Sequence, residues 1–325
     1  KSWKENSSKD DFREVIRKIA TQGACAFEVE DEITELMKKA DVIFVHQCPV
    51  SKEVIKEAEN LKYILSCRGG VENIDMEAAK EKGVKVINCP AHNAYAVAEY
   101  TIGMILNELR NITRSCTALK NGEWREKYQN SETLTELRSQ TIGIIGFGTI
   151  GRLVIERLKG FHPTILVHDP FADEDKIREE GCKPVTKEEL IKRSDVITIH
   201  ARIKAGDPPI IGKEEFNQMK ETAYLINTAR SGLVDEEALY EILKNKKIAG
   251  AAIDVFDKEP PGKEYPLVIL NNVTITPHLA GGTTDAFLNS PKLHAKEMHR
   301  ILEGKNSRYL TNSVVLKKVN VKEWI

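Results

Sequence analysis

The sequence predicts an α/β protein whose two domains are each built on a doubly wound parallel sheet. Its 325 residues provide material for roughly two domains of ordinary size. Short β-branched runs alternate with amphipathic helical stretches along most of the chain. One of these runs leads directly into a glycine-rich turn that opens a helix. Strand–helix alternation is typical of parallel sheets that carry helices on both faces.

The first part of the chain predicts one such sheet. Helical patterns such as "DEITELMKKA" and "SKEVIKEAEN" separate its β-branched runs. A longer helix is predicted from about 94 to 111, because apolar residues recur there at helical spacing. The predicted strands of this part are 24–29, 42–45, 63–66 and 84–87.

From residue 141 onward the alternation becomes more regular and predicts six strands with mostly helical crossovers. A further helix is predicted at about 285–304. Six parallel strands match the number in a complete dinucleotide-binding sheet. The predicted strands are 141–146, 164–168, 196–200, 223–226, 250–255 and 273–276.

The charge balance argues against several classes of partner. The chain has 48 basic and 49 acidic side chains and a formal net charge of −1. This balance gives no electrostatic argument for binding nucleic acid or an anionic membrane surface. No apolar run approaches the roughly 18 to 20 residues that a membrane-spanning helix needs. The opening segment "KSWKENSSKDDF" has no apolar stretch of the signal-peptide type, so we expect a cytoplasmic protein.

The cysteines and histidines predict no metal site. The six cysteines include no CxxC pair, and several lie in apolar runs. Reduced, mostly buried thiols fit a cytoplasmic protein best. Zinc ligands usually come in closely spaced pairs, and the eight histidines show no HExxH pattern or comparable pairing.

The run "TIGIIGFGTIG" predicts a nucleotide site. Gly146, Gly148 and Gly151 form a G-x-G-x-x-G pattern between a strand and a helix. The first glycine permits the tight turn, the second admits a pyrophosphate, and the third lets helix and strand pack closely. Asp169 follows the second strand at the position of the acid that binds the adenosine ribose, which favours NAD over NADP. The alternatives are a generic tight turn for the glycines and, for Asp169, a helix N-cap or turn residue.

Three polar residues follow successive strands of the same predicted sheet. Arg230, Glu259 and His278 lie in the turns after the fourth, fifth and sixth strands. Imidazole can exchange a proton with an alcohol near neutral pH, and a nearby carboxylate would hold and orient it. A guanidinium can bind a carboxylate with two parallel hydrogen bonds. Singly, each could be an ordinary loop residue; together they favour a catalytic site for alcohol oxidation.

Four motifs occur in order: "GFGTIG", "MKETAYLINTARSGLVDEEAL", "GAAIDVFDKEPP" and "TPHLAGGT". In order and spacing the chain resembles the D-isomer-specific 2-hydroxyacid dehydrogenases, which include phosphoglycerate dehydrogenase, over about 40–300. The resemblance implies that Arg230 binds substrate and that Glu259 and His278 are the catalytic pair. The implied cofactor positions are Gly146, Gly148, Thr149, Ile150, Gly151, Asp169, Ala201, Thr228, Ala229, Arg230, Asp254, His278 and Gly281.

The same resemblance implies a domain organisation. A Rossmann NAD-binding domain would span 93–286, and a flavodoxin-like substrate domain would combine 1–92 with 287–325. The last helix would thereby return to the first domain. A homodimer is also expected from the family, through the region 94–120.

Two segments depart from the family's usual sequence motifs. Ser231 replaces the first glycine of "ARGG", a mild change that leaves Arg230 in place. After the third strand, "HARIKAG" replaces a proline-rich segment and puts Arg202 beside the expected cofactor site. Arg202 is either a surface arginine or a cation near the pyrophosphate.

The segment "SCRGGVENID" stands where relatives have a substrate loop. Gly69 and Gly70 would offer backbone N–H groups to a carboxylate, and Arg68 either adds a positive charge or forms a salt bridge. His278 and Arg230 would complete the substrate contacts. Phosphoglycerate dehydrogenases typically carry extra arginines in this domain, whereas "VIFVHQCPVS" supplies only His46 and Gln47. These two residues and Arg68 would suit a hydroxylated, sugar-acid-like side chain.

The sequence therefore predicts an NAD-dependent dehydrogenase that interconverts a D-2-hydroxy acid and a 2-keto acid. Two alternatives remain open: 3-phosphoglycerate as substrate, and an NAD(H)-sensing corepressor of the same fold. Formate oxidation is not expected, because formate dehydrogenases of this superfamily have glutamine where Glu259 stands.

Overall fold

The computed structural model describes residues 15, 18, 19, 22–203, 206–307 and 309–311. The chain divides into two compact units. Unit 1 comprises Lys1–His92 and Thr284–Ile325, and unit 2 comprises Asn93–Thr283. The chain thus re-enters unit 1 at Thr284 rather than at 287.

Unit 1 contains a sheet of three parallel strands in the order β1-β2-β3: Val42–Val45 (β1), Tyr63–Ser66 (β2) and Lys85–Asn88 (β3). The connecting helices are Asp31–Lys39 (α1), Lys52–Glu57 (α2) and Met76–Lys82 (α3). Ser51 and Asp75 cap α2 and α3 by accepting hydrogen bonds from backbone N–H groups of the first helical turn. Apolar residues of the strands and helices, such as Ile43, Ile64 and Val86, form the core.

The predicted strand at 24–29 is wrong. Gly23–Cys25 form a 3-10 helix, and residues 26–30 form a bend and irregular backbone. Gly23 has a φ of 67°, in the left-handed region, so the chain turns where the strand was expected to begin. An apolar run becomes a strand only where a neighbouring strand completes its hydrogen bonds.

Unit 2 contains a seven-stranded parallel sheet in the order β10-β9-β8-β7-β4-β5-β6. All six strands predicted for this part are present, one with the predicted boundaries and five with boundaries shifted by one or two residues. The prediction missed β6, whose two residues are too few to show a pattern. The strands are Thr141–Ile145 (β4), Thr164–His168 (β5), Lys183–Pro184 (β6), Val196–Ile199 (β7), Tyr224–Asn227 (β8), Gly250–Ile253 (β9) and Val273–Ile275 (β10).

Helices accompany this sheet and follow the predicted alternation. The long helix expected at 94–111 ends where Asn111 adopts a left-handed conformation. The helices of unit 2 are Ala94–Arg110 (α4), Ile112–Lys120 (α5), Thr149–Leu158 (α6), Glu174–Glu179 (α7), Lys187–Arg193 (α8), Lys213–Phe216 (α9) and Glu236–Lys244 (α10). Among the described residues, no helix has both the length and the apolar character needed to cross a bilayer.

The last helix, Thr284–Leu302 (α11), belongs to unit 1. Residues beyond it continue along β3, where Leu310 forms an antiparallel bridge with Ile87. Unit 1 is therefore assembled from two distant parts of the chain.

The sheet of unit 2 has its topological switch point at β4. Its neighbours are β5 on one side and β7 on the other, so the crossovers leave β4 in opposite directions. Ligands of doubly wound sheets bind outside the carboxyl ends of the strands at such a point. The fold therefore puts the turn after β4 at the expected position of a nucleotide.

Candidate active site

The glycine turn after β4 has the backbone geometry that a dinucleotide requires. Gly146 has a φ of 102°, and an added Cβ would lie 2.7 Å from the carbonyl carbon of His200. A Cβ on Gly148, by contrast, would meet nothing within 4 Å, so the backbone is open to a ligand there. Thr149 and Ile150 begin α6, whose N-terminus has no side-chain cap. Its N–H groups are therefore available to phosphate oxygens, and the turn fits a pyrophosphate.

Asp169 connects this turn to the end of β5. Its Oδ2 accepts a hydrogen bond from Phe147 N at 2.8 Å, and its Oδ1 accepts one from Phe171 N at 2.9 Å. Asp169 is thus a turn residue, as the alternative interpretation expected. Each carboxylate oxygen retains a further lone pair for a hydroxyl group. A half-buried carboxylate here fits a ribose hydroxyl and disfavours a 2′-phosphate.

His278 and Glu259 form a direct pair. His278 Nδ1 lies 2.8 Å from Glu259 Oε2 and 3.1 Å from Oε1, and Oε1 also accepts from Phe256 N at 3.1 Å. Partial burial raises the pKa of Glu259, but His278, the Phe256 N–H group and the Arg230 charge outweigh it and hold that pKa below its usual range. An ionised carboxylate only accepts, so Nδ1 carries a proton and donates. Nε2 has no hydrogen-bond partner among the described residues and remains available for proton exchange.

A buried carboxylate holds the turn that carries His278. His278 has a φ of 53°, a left-handed conformation that is uncommon for a residue with a side chain. Asp254 is fully buried after β9, where its carboxylate accepts from Thr276 Oγ1 at 2.5 Å and from the N–H groups of Leu279 and Ala280 at 2.9 Å. These bonds offset the cost of the strained backbone. The structure therefore shows Asp254 as the anchor of the His278 turn, and its predicted contact with the cofactor stays a prediction.

Arg230 lies in an exposed turn after β8. Its Nη1 donates to Ala229 O at 2.7 Å. Asn227 organises the turn, because its amide donates to Arg230 O at 2.9 Å and accepts from Ala229 N at 3.0 Å. The charge of Arg230 contributes to the lowered pKa of Glu259, so its guanidinium lies within electrostatic range of the His278–Glu259 pair. Asn227 is not among the predicted site residues, although an asparagine at the end of an apolar strand is a common turn signal.

The remaining cofactor positions are distributed around these turns. Thr228 is buried, and its hydroxyl is 2.8 Å from that of Thr101 on α4. Ala201 follows β7 beside Gly146, and the neighbouring Arg202 is exposed. Gly281 lies against the amide of Asn93, and Gly151 lies against the carbonyl of Gly146. None of these contacts conflicts with a role in binding a dinucleotide.

The predicted substrate loop of unit 1 follows β2. Arg68 Nη1 donates to Gln47 Oε1 at 2.8 Å, and its Nη2 lies 3.3 Å from Glu72 Oε2. Gln47 is buried, so it orients Arg68 rather than forming an exposed contact surface. Within the described part of the chain, the N–H groups of Gly69 and Gly70 donate to no acceptor. The loop thus presents two backbone donors beside a guanidinium that is already paired.

Two histidines near this loop are uncharged at neutral pH. Burial, with smaller contributions from the neighbouring Arg68 and His92, lowers the pKa of His46 to about 4. Burial also lowers the pKa of His92, against a hydrogen bond to Cys89 O, and Arg68 lowers it further. The ring of His46 packs edge-on against Phe287, with ring centroids 5.9 Å apart. Both imidazoles can therefore act as neutral hydrogen-bonding groups.

The described residues include no group of three His, Cys, Asp or Glu side chains that could hold a metal ion. All six cysteines are free thiols. The chemistry that the site offers is proton transfer at His278, with Arg230 as a charged donor in the turn after β8.

Comparison with known proteins identifies the family. Residues 102–280 match the family described as "D-isomer specific 2-hydroxyacid dehydrogenase, NAD binding domain". The chain belongs to this family. The matched range covers β4 to β10 and includes every predicted site residue of unit 2 except Gly281.

Named members of the family extend the match beyond this domain. The chain is 38% identical over 306 residues to D-3-phosphoglycerate dehydrogenase of Methanocaldococcus jannaschii, covering 93% of this chain and 57% of that protein. It is 38% identical over 260 residues to hydroxypyruvate reductase of Thermotoga maritima, covering 79% and 83% of the two chains. The crystal structure of a D-lactate dehydrogenase with NAD+ from Lactobacillus jensenii has a TM-score of 0.76 at 25% identity, covering 87% and 89%. The chain spans little more than half the length of the phosphoglycerate dehydrogenase.

Proposed function

We propose that this protein is an NAD-dependent dehydrogenase that interconverts a D-2-hydroxy acid and a 2-keto acid. The observation that carries this proposal is the His278–Glu259 pair, joined at 2.8 Å in the unit that matches the family's NAD-binding domain. A half-exposed imidazole with an unoccupied Nε2 and a carboxylate behind Nδ1 is suited to general acid–base chemistry. The relatives described above support the same activity.

In the oxidative direction, His278 Nε2 accepts the proton of the substrate hydroxyl. Glu259 stabilises the imidazolium that forms and keeps Nδ1 protonated. Arg230 binds the substrate carboxylate and releases its own bond to Ala229 O to do so. NAD, when bound, supplies the chemistry of hydride transfer. In the reductive direction His278 returns the proton to the carbonyl oxygen.

We propose that the loop of unit 1 binds substrate through the N–H groups of Gly69 and Gly70, which donate to the carboxylate. His46, His92 and Arg68 would surround the rest of the substrate with neutral or already paired polar groups. Because Glu72 offsets the charge of Arg68, this set favours a hydroxylated substituent over a doubly charged phosphate. Hydroxypyruvate is a small 2-keto acid of this kind, whereas the product of 3-phosphoglycerate oxidation is not.

A keto-acid panel tests the proposal. Purified protein is assayed for NADH oxidation with glyoxylate, pyruvate, hydroxypyruvate and 3-phosphohydroxypyruvate, and NADPH is run in parallel. We expect the highest kcat/KM with hydroxypyruvate and a clear preference for NADH, since Asp169 repels a 2′-phosphate. Preference for the phosphorylated acid would overturn the assignment of the substrate class. Tight NADH binding without turnover of any acid would instead indicate a corepressor-like binding protein.

We further propose that the protein acts as a homodimer in the cytoplasm. Helix α5 exposes Ile112 and Leu119, at 55% and 59%, and Trp124 shortly after it is 78% exposed. Several large, exposed apolar side chains within one short stretch of chain favour an interface. The free thiols agree with a reducing compartment. Sedimentation of the wild type and of Leu119→Glu tests the dimer, because the added charge should yield monomers; a monomeric wild type at assay concentrations would contradict it.

A further inference from the structure

We infer that Ser290 and His294 of α11 are positioning residues for the substrate loop: they hold the backbone of segment 66–70 so that its N–H groups face the ligand. The inference rests on the proposed role of Gly69 and Gly70 as carboxylate donors. It concerns residues of unit 1 alone.

Every carbonyl oxygen of segment 66–70 accepts a hydrogen bond from unit 1. Two of the donors are side chains of α11, and the other three come from β3, the residue after it, and the segment itself. The donors are His294 Nε2 to Ser66 O at 2.8 Å, Ser290 Oγ to Cys67 O at 2.7 Å, Cys89 N to Arg68 O at 3.0 Å, Asn88 Nδ2 to Gly69 O at 2.6 Å and Ser66 Oγ to Gly70 O at 3.0 Å.

This arrangement has an electrostatic consequence for an anionic ligand. A carbonyl oxygen repels a carboxylate, whereas a backbone N–H group attracts it. With all five carbonyl oxygens bound to the protein, the loop can offer N–H groups without exposing a competing carbonyl. The N–H groups of Gly69 and Gly70 have no acceptor in the part of the chain that the structure describes.

Burial shows that the two α11 side chains serve the loop and not the ligand. Ser290 is 2% exposed and His294 is 0% exposed. They lie four residues apart, so they project from the same face of α11. They bond to two consecutive carbonyl oxygens, those of Ser66 and Cys67, which are separated from the glycines only by Arg68.

The choice of histidine at 294 supports a specific need for its Nε2 donor. Its Nδ1 is buried and has no hydrogen-bond partner, a cost that an apolar residue would avoid. Nε2 lies 2.8 Å from Ser66 O and 3.2 Å from Cys89 Sγ. Burial lowers the pKa of His294 although Ser66 and Glu297 oppose that shift. The ring therefore stays neutral and donates through Nε2.

The first test compares Ser290→Ala with Thr311→Val as a matched control. Thr311 Oγ1 also donates to a backbone carbonyl of unit 1, that of Val86, at 2.8 Å, but away from segment 66–70. We expect Ser290→Ala to raise KM for the keto acid about tenfold, the effect of one misplaced hydrogen bond. Its kcat and its Kd for NADH should stay at wild-type values. Thr311→Val should leave KM unchanged, even if both variants lower Tm.

The second test uses His294, for which a conservative variant keeps the donor. The amide nitrogen of glutamine can replace Nε2, so His294→Gln should retain a KM close to the wild type. His294→Leu removes the donor and should raise KM by at least about tenfold. Hydrogen–deuterium exchange of the peptide that covers 66–71 provides a readout that needs no turnover: exchange should increase in His294→Leu and Ser290→Ala only.

The outcomes separate this inference from the proposed function. A wild type that turns over no keto acid refutes the proposed function, while the exchange experiment still reports whether α11 holds the segment. An active wild type with unchanged KM in Ser290→Ala and His294→Leu refutes the positioning role. Equal rises in KM for Thr311→Val and Ser290→Ala would also refute it, because the effect would then be general destabilisation.

Discussion

The His278 turn of unit 2 and segment 66–70 of unit 1 are held in place by different kinds of neighbours. The His278 turn is held by Asp254 and Glu259, carboxylates that lie 19 to 26 residues from their partners in the chain. Segment 66–70 depends on Ser290 and His294, which lie 223 and 228 residues from their partners. The first region presents side chains for chemistry, and the second presents backbone groups.

This difference shows how a functional group determines the support that it needs. An imidazole needs one oriented partner, which a residue at the next strand end can supply. A backbone N–H group lies in the same planar peptide as the preceding residue's carbonyl and points the opposite way, so the whole peptide segment must be fixed, and several donors are required. Substitutions should therefore affect kcat in the first region and KM in the second.

The largest effect is expected for His278→Gln. Loss of the acid–base group should lower kcat by about a thousandfold or more, within the usual range for such a group. The Kd for NADH, measured by fluorescence titration, should change little, because the glycine turn is unaffected. Turnover close to that of the wild type would show that His278 is not the acid–base group. The expected difference between the two regions, an effect on kcat in one and on KM in the other, would then be absent.

Arg230→Lys should have the next largest effect. Lysine cannot form two parallel hydrogen bonds with a carboxylate, so kcat/KM should fall about tenfold to a hundredfold. Arg178→Lys, at a surface ion pair with Glu174, is the control and should match the wild type. An unchanged kcat/KM in Arg230→Lys would mean that the substrate carboxylate is bound elsewhere.

Glu259→Gln should slow keto-acid reduction and change the pH dependence of unfolding. Without the carboxylate the imidazolium that forms during turnover loses its ionised partner, so the rate of keto-acid reduction at neutral pH should fall about tenfold. In the wild type the pKa of Glu259 lies below its usual range. The pair therefore makes its full contribution to the free energy of unfolding at pH values above the usual pKa range of a glutamate. That contribution is lost as the pH falls through the lowered pKa of Glu259. The stability of Glu259→Gln should therefore lack this dependence on pH in the acid range. Identical acid-unfolding curves for the variant and the wild type would contradict the prediction.

Gly69→Ala should have the smallest effect. The added Cβ would make only ordinary contacts, at 3.9 Å, with Cys89 O and Pro90 Cα. KM should therefore rise no more than about twofold, as for most substitutions without a steric conflict. If KM rose as much as in Ser290→Ala, the ligand would lie directly over the Cα of Gly69. The role of α11 would then be secondary.

The catalytic side chains could be predicted from the sequence, but the residues that hold segment 66–70 in place could not. Arg230, Glu259 and His278 each follow an apolar strand, and parallel strands bring such positions to one edge of a sheet. By contrast, Ser290 and His294 lie in an amphipathic helix where neither has a local motif. Their acceptors are backbone carbonyl oxygens, which every residue has, so no residue type marks the contact.

The two errors in the strand prediction have a related cause. The run at 24–29 has a strand-like composition, but it belongs to neither of the sheets formed by the described residues. The two-residue strand Lys183–Pro184 has an unremarkable composition and pairs with β5 at the sheet edge. Strand formation depends on partners that local sequence does not reveal. Gln47 illustrates the same limit, since only the structure shows that it is buried against Arg68.

The divided sequence of unit 1 has a consequence for how the protein is made. β2 and segment 66–70 leave the ribosome early, but the helix that fixes them is synthesised only after all of unit 2. Unit 2 is continuous in the chain and can fold before the second part of unit 1 has been synthesised. The nascent protein should therefore acquire the ability to bind NADH before it can bind a keto acid.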